Sequence, residues 1–292
     1  MSRVWTTTRR KISTSPAGGY LSGFRRVPRR VRPTTLGTIH QCFPRGVVPD
    51  RYDALTSALH FADNEEEHPA EDRLWKLRPV LDVLESTYRS VPNKSVTVDK
   101  SLWAFKGRHH ALQYNPSKRA RRGLKVYKLC SSDGPEAGYT AAFKIYMGQD
   151  RGVFPSSMKA VTDLLEKADL LDKGYQLHTE NWYTSPTLFH YLQARKTSAV
   201  GTVRLNRRDM PLDLQQDQND LPSVGPVTTA HTSKVVTLPP NRRGVERSKP
   251  EVVVDYNNGM KGVDFSDQLA QSYPSTKKTV KWYKKFFFTY WI

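Results

Sequence analysis

Between residues 94 and 205 strand-like and helix-like runs follow one another in an order that few architectures accept. Three strand-like runs come first, at 94–102 (KSVTVDKSL), 124–131 (LKVYKLCS) and 139–147 (YTAAFKIYM). Asp133-Gly134-Pro135 and Gly138 form the turn between the second and third, so the three read as an antiparallel meander. A helix follows at 161–171, with Val161, Leu164, Leu165 and Ala168 on one stripe, and then a fourth strand at 175–179. Ser185-Pro186 opens the next helix with serine at the cap and proline at the first helical position, and a fifth strand lies at 199–205. Strands interleaved with helices in this way predict an α/β layer architecture built on a mixed five-stranded sheet.

Around this core the chain is less regular. Residues 1–47 form a basic arm expected to be disordered: residues 1–49 hold ten Arg and Lys residues and no Asp or Glu. Such an arm suits phosphate contact or a nuclear address, and it also has the composition of a mitochondrial presequence. Residues 48–93 read as a helical lead-in, with Leu74, Leu77, Val80, Leu81 and Leu84 recurring three or four apart. Glu65, Glu66 and Glu67 are consecutive, so their side chains diverge and a solvated loop is expected there. Residues 207–251 are polar and read as an insertion or long loop, and 252–292 hold a last amphipathic block and a basic-aromatic tail whose apolar rings need cover.

The net charge of +18 over 292 residues favours a polyanionic partner, nucleic acid first and an anionic membrane surface second. No apolar run reaches the roughly eighteen residues that a membrane-crossing helix needs, and no signal-peptide core is present. The only cysteines are Cys42 and Cys130, too few for a zinc site made from this chain's thiolates and in keeping with a reducing compartment.

Three carboxylates fall at suggestive places. Asp99 is expected to end the first strand, and Glu180 follows the fourth. Asp264 and Asp267, in GVDFSDQL, lie three apart and share a face if that stretch is helical. Should the first and fourth strands be neighbours, Asp99 and Glu180 stand side by side, and a helix packed on the sheet brings in Asp264. Hard oxygen ligands converging in this way could hold two divalent ions for phosphodiester cleavage, one activating water or a 3′-hydroxyl and the other stabilising the leaving oxygen. Each acid taken alone is equally well a helix cap or a surface residue. Lys118, Arg119, Arg121, Arg122 and Lys125 would hold a DNA backbone, or simply solvate a hairpin; Lys277, Lys278 and Lys281 of the tail are further phosphate-contacting candidates.

Five blocks of this chain, in order, resemble the piggyBac transposase family and the transposon-derived proteins related to it. They are LHFADN (59–64) with DRLWKLRPVLDVL (72–84), SVTVDKSLWAFKGR (95–108), the run from Gln113 to Gly148, HTENWYTSPTLFHYLQ (178–193) with AVGTVRLNRRDMP (199–211), and VVVDYNNGMKGVDFSDQLAQSY (252–273). The resemblance implies an RNase H-like catalytic core cutting DNA with an acidic triad on Asp99, Glu180 and Asp264, with Asp267 as an additional metal ligand and two Mg²⁺ or Mn²⁺ ions as cofactor. It also implies inverted transposon repeats and TTAA targets as substrate, a possible homodimer and nuclear localisation.

Two departures bear on activity. Glu180 stands where the family's second aspartate belongs, and the extra methylene moves the carboxylate by about 1.5 Å. Displacements of about 1 Å in a catalytic constellation can cost roughly a hundredfold in rate. Lys100 replaces the acid that commonly follows the first aspartate. The family's cysteine-rich zinc domain has no counterpart in these residues, and the tail reads as cut short. The sequence thus leads to a transposase-like protein of impaired activity, with a DNA binder without catalysis, or a degenerate copy, as alternatives.

Overall fold

The computed structural model describes residues 49–87, 94–116, 121–148, 154–211, 224–240, 244, 246–272, 279 and 281–290. The basic arm, Lys118, Arg119, Lys277, Lys278 and Cys42 lie outside the described residues. The chain divides into two compact units, Met1–Pro79 and Val80–Ile292. In the first, helix α1 spans Pro49–Ala58. A loop then carries the exposed Glu65, Glu66 and Glu67, followed by a 3₁₀ turn at Trp75–Leu77. Asp72 organises this turn. It accepts the Leu74 N–H at 3.0 Å and two guanidinium N–H groups of Arg78 at 2.6 and 2.9 Å. The Arg78 hydrogen bond holds its carboxyl below the usual range. Helix α2 spans Arg78–Thr87.

The second unit is built on a seven-stranded sheet. Its strands are β1 (Ser95–Ala104), β2 (Leu112–Tyr114), β3 (Arg122–Ser131), β4 (Thr140–Ile145), β5 (Gln176–Thr179), β6 (Ser198–Arg204) and β7 (Val224–Thr228). The order is β2-β3-β1-β5-β6-β7, with β4 also pairing with β3. β1 is antiparallel to β3 and parallel to β5; β5 is parallel to β6, and β6 antiparallel to β7. A separate ribbon pairs β8 (Val235–Leu238) with β9 (Arg247–Pro250).

Helices cover both faces. On one side α3 (Ser156–Lys167) and α4 (Pro186–Ala194) bury Val161, Leu164, Leu165, Leu188 and Leu192 against Val96, Val98, Leu129 and Leu177. The Ser185 Oγ accepts the Leu188 N–H at 3.2 Å, the cap expected from Ser-Pro. On the other side lie α5 (Glu251–Gly259), α6 (Lys261–Ser272) and α7 (Trp282–Tyr290). α5 and α6 meet the sheet at glycines. A Cβ on Gly259 would fall 2.2 Å from the His178 ring, and one on Gly262 2.6 Å from Thr97 and from the Ser131 carbonyl oxygen. Covered on both faces, β1 is buried without interruption from Val96 to Asp99.

The mixed α/β sheet agrees with the sequence reading, and three details correct it. The sheet has seven strands rather than five: β2 is only three residues long, and the polar β7 comes from the stretch read as a loop. Asp99 lies in mid-strand, because the antiparallel ladder with β3 carries β1 on to Ala104. The aromatic tail is covered: Tyr283, Phe286 and Phe288 are buried, and Phe286 packs 4.1 Å from the Trp103 ring.

Candidate active site

Register determines which acids meet. In the parallel β1–β5 ladder the last pair is Val98 with Thr179, so Asp99 and Glu180 are the next residues on adjacent strands. β5 ends there while β1 continues, leaving a step beside Asp99 that opens at the end of the shorter strand. Asp99 is 6% exposed. The phenols of Tyr183 and Tyr256 register both acids. Burial pushes the Tyr183 hydroxyl well above its ordinary range, and the charges of Asp99, Tyr127 and Glu180 push it further. Tyr256 is raised by burial first, with Glu180 and Asp99 adding to it against a hydrogen bond with Thr202.

Both acidic positions have lysines as strand neighbours. Lys100 Nζ lies 3.6 Å from Glu180 Oε2, with both side chains part-exposed. Lys128 stands directly opposite Asp99 in the β1–β3 ladder, which puts the two side chains on one face. Its side chain is only 3% exposed, and its ammonium donates to Asp267 at 2.7 Å and to Ser266 at 3.3 Å. The Ser101 hydroxyl donates to Asp267, within reach of both its oxygens at 2.7 and 2.9 Å. Asp267 therefore faces the sheet, while Asp264 in the first turn of α6 is exposed. Although three apart, the two acids do not share one environment.

α5 is held by a polar cluster that the sequence reading missed. Asp255 accepts from Gln176, and one of its oxygens lies 3.5 Å from His178 Nε2 and 3.3 Å from His231 Nε2. His178 is fully buried, two residues before Glu180, and its Nδ1 lies 3.3 Å from the Val96 carbonyl oxygen. The strand alternation placing Gln176 and His178 on one face was the available signal; their partner lies 79 residues away from Gln176.

The basic candidates divide. Arg121, Arg122 and Lys281 are exposed. Lys125 is half-buried among aromatic rings, its ammonium 4.0 Å from the Tyr146 ring centre and 5.1 Å from that of Tyr127. Burial, and then the charge of Lys100, hold it below the ordinary lysine range.

Two divalent ions require several hard oxygen ligands to converge. Among the described residues no three His, Cys, Asp or Glu side chains do so. Lys100 and Lys128 meet Glu180 and Asp267 instead. Lysine contacts thus stand at two of the four acids, Glu180 and Asp267, while Asp99 and Glu180 follow the last pair of the β1–β5 ladder.

The protein-family model described as Transposase IS4, of the DDE type, matches residues 47–225 and 218–291. PiggyBac transposable element-derived protein 3 of Homo sapiens is 26% identical over 303 residues, covering 90% of this chain and 50% of that protein. PiggyBac transposable element-derived protein 2 of Homo sapiens is 24% identical over 306 residues, covering 91% of this chain and 50% of its own length. The chain thus spans about half the length of these relatives. A cryo-EM structure of a piggyBac transposase synaptic complex with hairpin DNA shares the fold, with a TM-score of 0.64 and 22% identity over 82% of this chain and 54% of that one.

Proposed function

The chain belongs to the DDE-type Transposase IS4 family, alongside the piggyBac transposable element-derived proteins, and from that premise we propose that it is a transposase-derived DNA-binding core whose acids are balanced by lysines rather than by metal ions. The observation that carries this reading is the pair of contacts from β1 and β3, Lys100 to Glu180 at 3.6 Å and Lys128 to Asp267 at 2.7 Å. A dication brought to Asp267 would meet the buried Lys128 ammonium, where repulsion is poorly screened, and one brought to Glu180 would meet the ammonium of Lys100.

The partner proposed is duplex DNA. A net charge of +18 supports it, with Arg121, Arg122 and Lys281 exposed for phosphate contact. The nucleus is the proposed compartment, as befits a DNA partner.

One observation favours a second reading. Asp99 and Glu180 are next to each other across the β1–β5 ladder, as divalent-dependent phosphodiester cleavage with Mg²⁺ or Mn²⁺ would require. Asp264 would then be the third acid and Asp267 a further ligand, once Lys100 and Lys128 had been displaced. Transposon ends, TTAA targets and a homodimer belong to this second reading.

Fluorescence anisotropy with a labelled duplex separates the two. The first reading expects log K to fall linearly with log salt, no dependence on Mn²⁺ beyond ionic strength, and no nicked product. Mn²⁺-dependent nicking that disappears in Asp99→Asn would replace it with the second.

A further inference from the structure

The loop over residues 105–111 joins β1 to β2 and ends in a tight turn, in which the Leu112 N–H donates to the His109 carbonyl at 3.3 Å. The His109 ring belongs to that turn. Its Nδ1 accepts the N–H of the buried Ala111 at 3.1 Å, so this nitrogen carries no proton. The ring also meets the indole of Trp282, the first residue of α7, with centres 5.0 Å apart and planes tilted by 58°. His110 lies against it, ring centres 4.4 Å apart, and His110 Nε2 is 3.2 Å from the Met147 carbonyl oxygen just beyond β4. A neutral imidazole therefore stands where the β1–β2 loop meets the start of α7.

Protonation works against these contacts. An imidazolium carries a proton on both nitrogens, so Nδ1 no longer accepts from Ala111 and the buried N–H loses that partner. A positive charge at the start of α7 also opposes the helix dipole. The surrounding elements offer no compensating charge. Lys106, Arg108 and His110 share the loop, Lys281, Lys284 and Lys285 stand at the start of α7, and residues 105–111, 145–148 and 281–290 contain no Asp or Glu. The indole offsets part of the charge, but the balance is unfavourable. Burial first, and then the charge of His110, hold the His109 ring below its ordinary value of 6.5.

We propose that His109 is a proton-operated latch for α7: the neutral ring fastens the first turn of the helix to the β1–β2 loop, and protonation releases it. Lys281, exposed and one of the phosphate-contacting candidates, leads directly into Trp282, so the latch sets where the basic tail enters the fold. α7 also places Phe286 against Trp103 and Phe143. The latch stands independently of the DNA-binding reading. Its direction follows from linkage. The released ring binds a proton with ordinary affinity and the fastened ring binds it more weakly. The latch is thus complete above about pH 6.5 and weakens as pH falls towards the fastened ring's value.

Hydrogen exchange on the full chain at about pH 7.5 and about pH 5.5 tests this, read as protection factors so that the pH dependence of exchange itself is removed. The Lys285 N–H, which donates to the Lys281 carbonyl at 3.2 Å, reports the first turn of α7. It is expected to lose protection by up to about tenfold, the limit that one proton sets over this range. His109→Gln keeps an acceptor and has no charge to gain, so its α7 is expected to be equally protected at both pH values; His110→Gln is expected to keep the response. Equal protection at both pH values in the unaltered chain overturns the latch, as does a loss that survives undiminished in His109→Gln. Should α7 be open at both pH values in that variant, proton NMR of the unaltered chain decides, the His109 signal being the one the variant lacks. A titration midpoint that coincides with the loss of α7 protection supports the latch, and a midpoint away from it overturns the latch.

Discussion

Lys128, 3% exposed, holds its ammonium 2.7 Å from Asp267 across the gap between β3 and α6. The relationship is asymmetric. Asp267 also accepts the Ser101 hydroxyl, which lies within reach of both its oxygens, and retains some access to water, whereas Lys128 is buried. Asp267→Asn leaves that ammonium without its carboxylate and is expected to destabilise the protein by about 3 kcal/mol. Lys128→Met leaves Asp267 and the buried Asp99 on that face without the ammonium, and is expected to cost less than Asp267→Asn because Asp267 reaches water. Urea unfolding of the two variants checks this, and equal losses would mean that the pair itself carries the stability.

Gly259→Ala should destabilise, although alanine is the better helix former. A Cβ there falls 2.2 Å from the buried His178 ring, so α5 or the ring must move. Overpacking of this kind costs about 1–3 kcal/mol, more than the ~1 kcal/mol that glycine removal returns to a helix. Chemical denaturation measures the difference; a stabilised variant would show that the helix does not rest on His178.

These two contacts mark how far the sequence could be read. The order of strands and helices was legible because Val96, Val98, Leu177 and the α3 stripe follow their periods. The adjacency of Asp99 and Glu180 was legible as a consequence of pairing the first and fourth strands. The orientation of Asp267 was not: helical spacing says that it and Asp264 are close along a face, but not which one the sheet will meet. Lys128 was hidden for a related reason. Alternation puts Lys125 and Lys128 on opposite faces of the strand but does not say what covers either; α6 covers the Lys128 face from 138 residues away. β7 was missed because an edge strand of Val, Gly, Pro and Thr carries little periodic signal.

Cys130 should be inert in the folded protein. Burial pushes its thiol up to about 11, against an ordinary value of 9.0. In a Cys42→Ser background, a thiol reagent at pH 8 is expected to react slowly with the native chain and rapidly once it is unfolded. The raised value also sets a sign. The thiol is protonated in both states below pH 9, so its contribution to stability is constant there and declines as pH rises from about 9 to about 11. Rapid native-state labelling at pH 8 would show that the α6 face opens readily.

Removal of exposed cations should change the salt dependence of DNA binding rather than its sequence preference. Arg121 and Arg122 are exposed at the start of β3. Each change to alanine is expected to reduce the slope of log K against log salt by about 0.9 if the residue neutralises one phosphate. Anisotropy titrations between low and moderate salt give the slope, and unchanged slopes would place the DNA elsewhere on the surface.

The most direct test of lysine-balanced acids is calorimetric titration of the folded chain with Mn²⁺, in parallel with its Lys100→Gln/Lys128→Met double variant. The expected result is no saturable binding by the unaltered protein and measurable binding by the double variant, from which the two competing ammonium groups have been removed. Saturable binding by the unaltered protein that Asp99→Asn abolishes would contradict it, and would return Asp99 and Glu180 to the role of metal ligands.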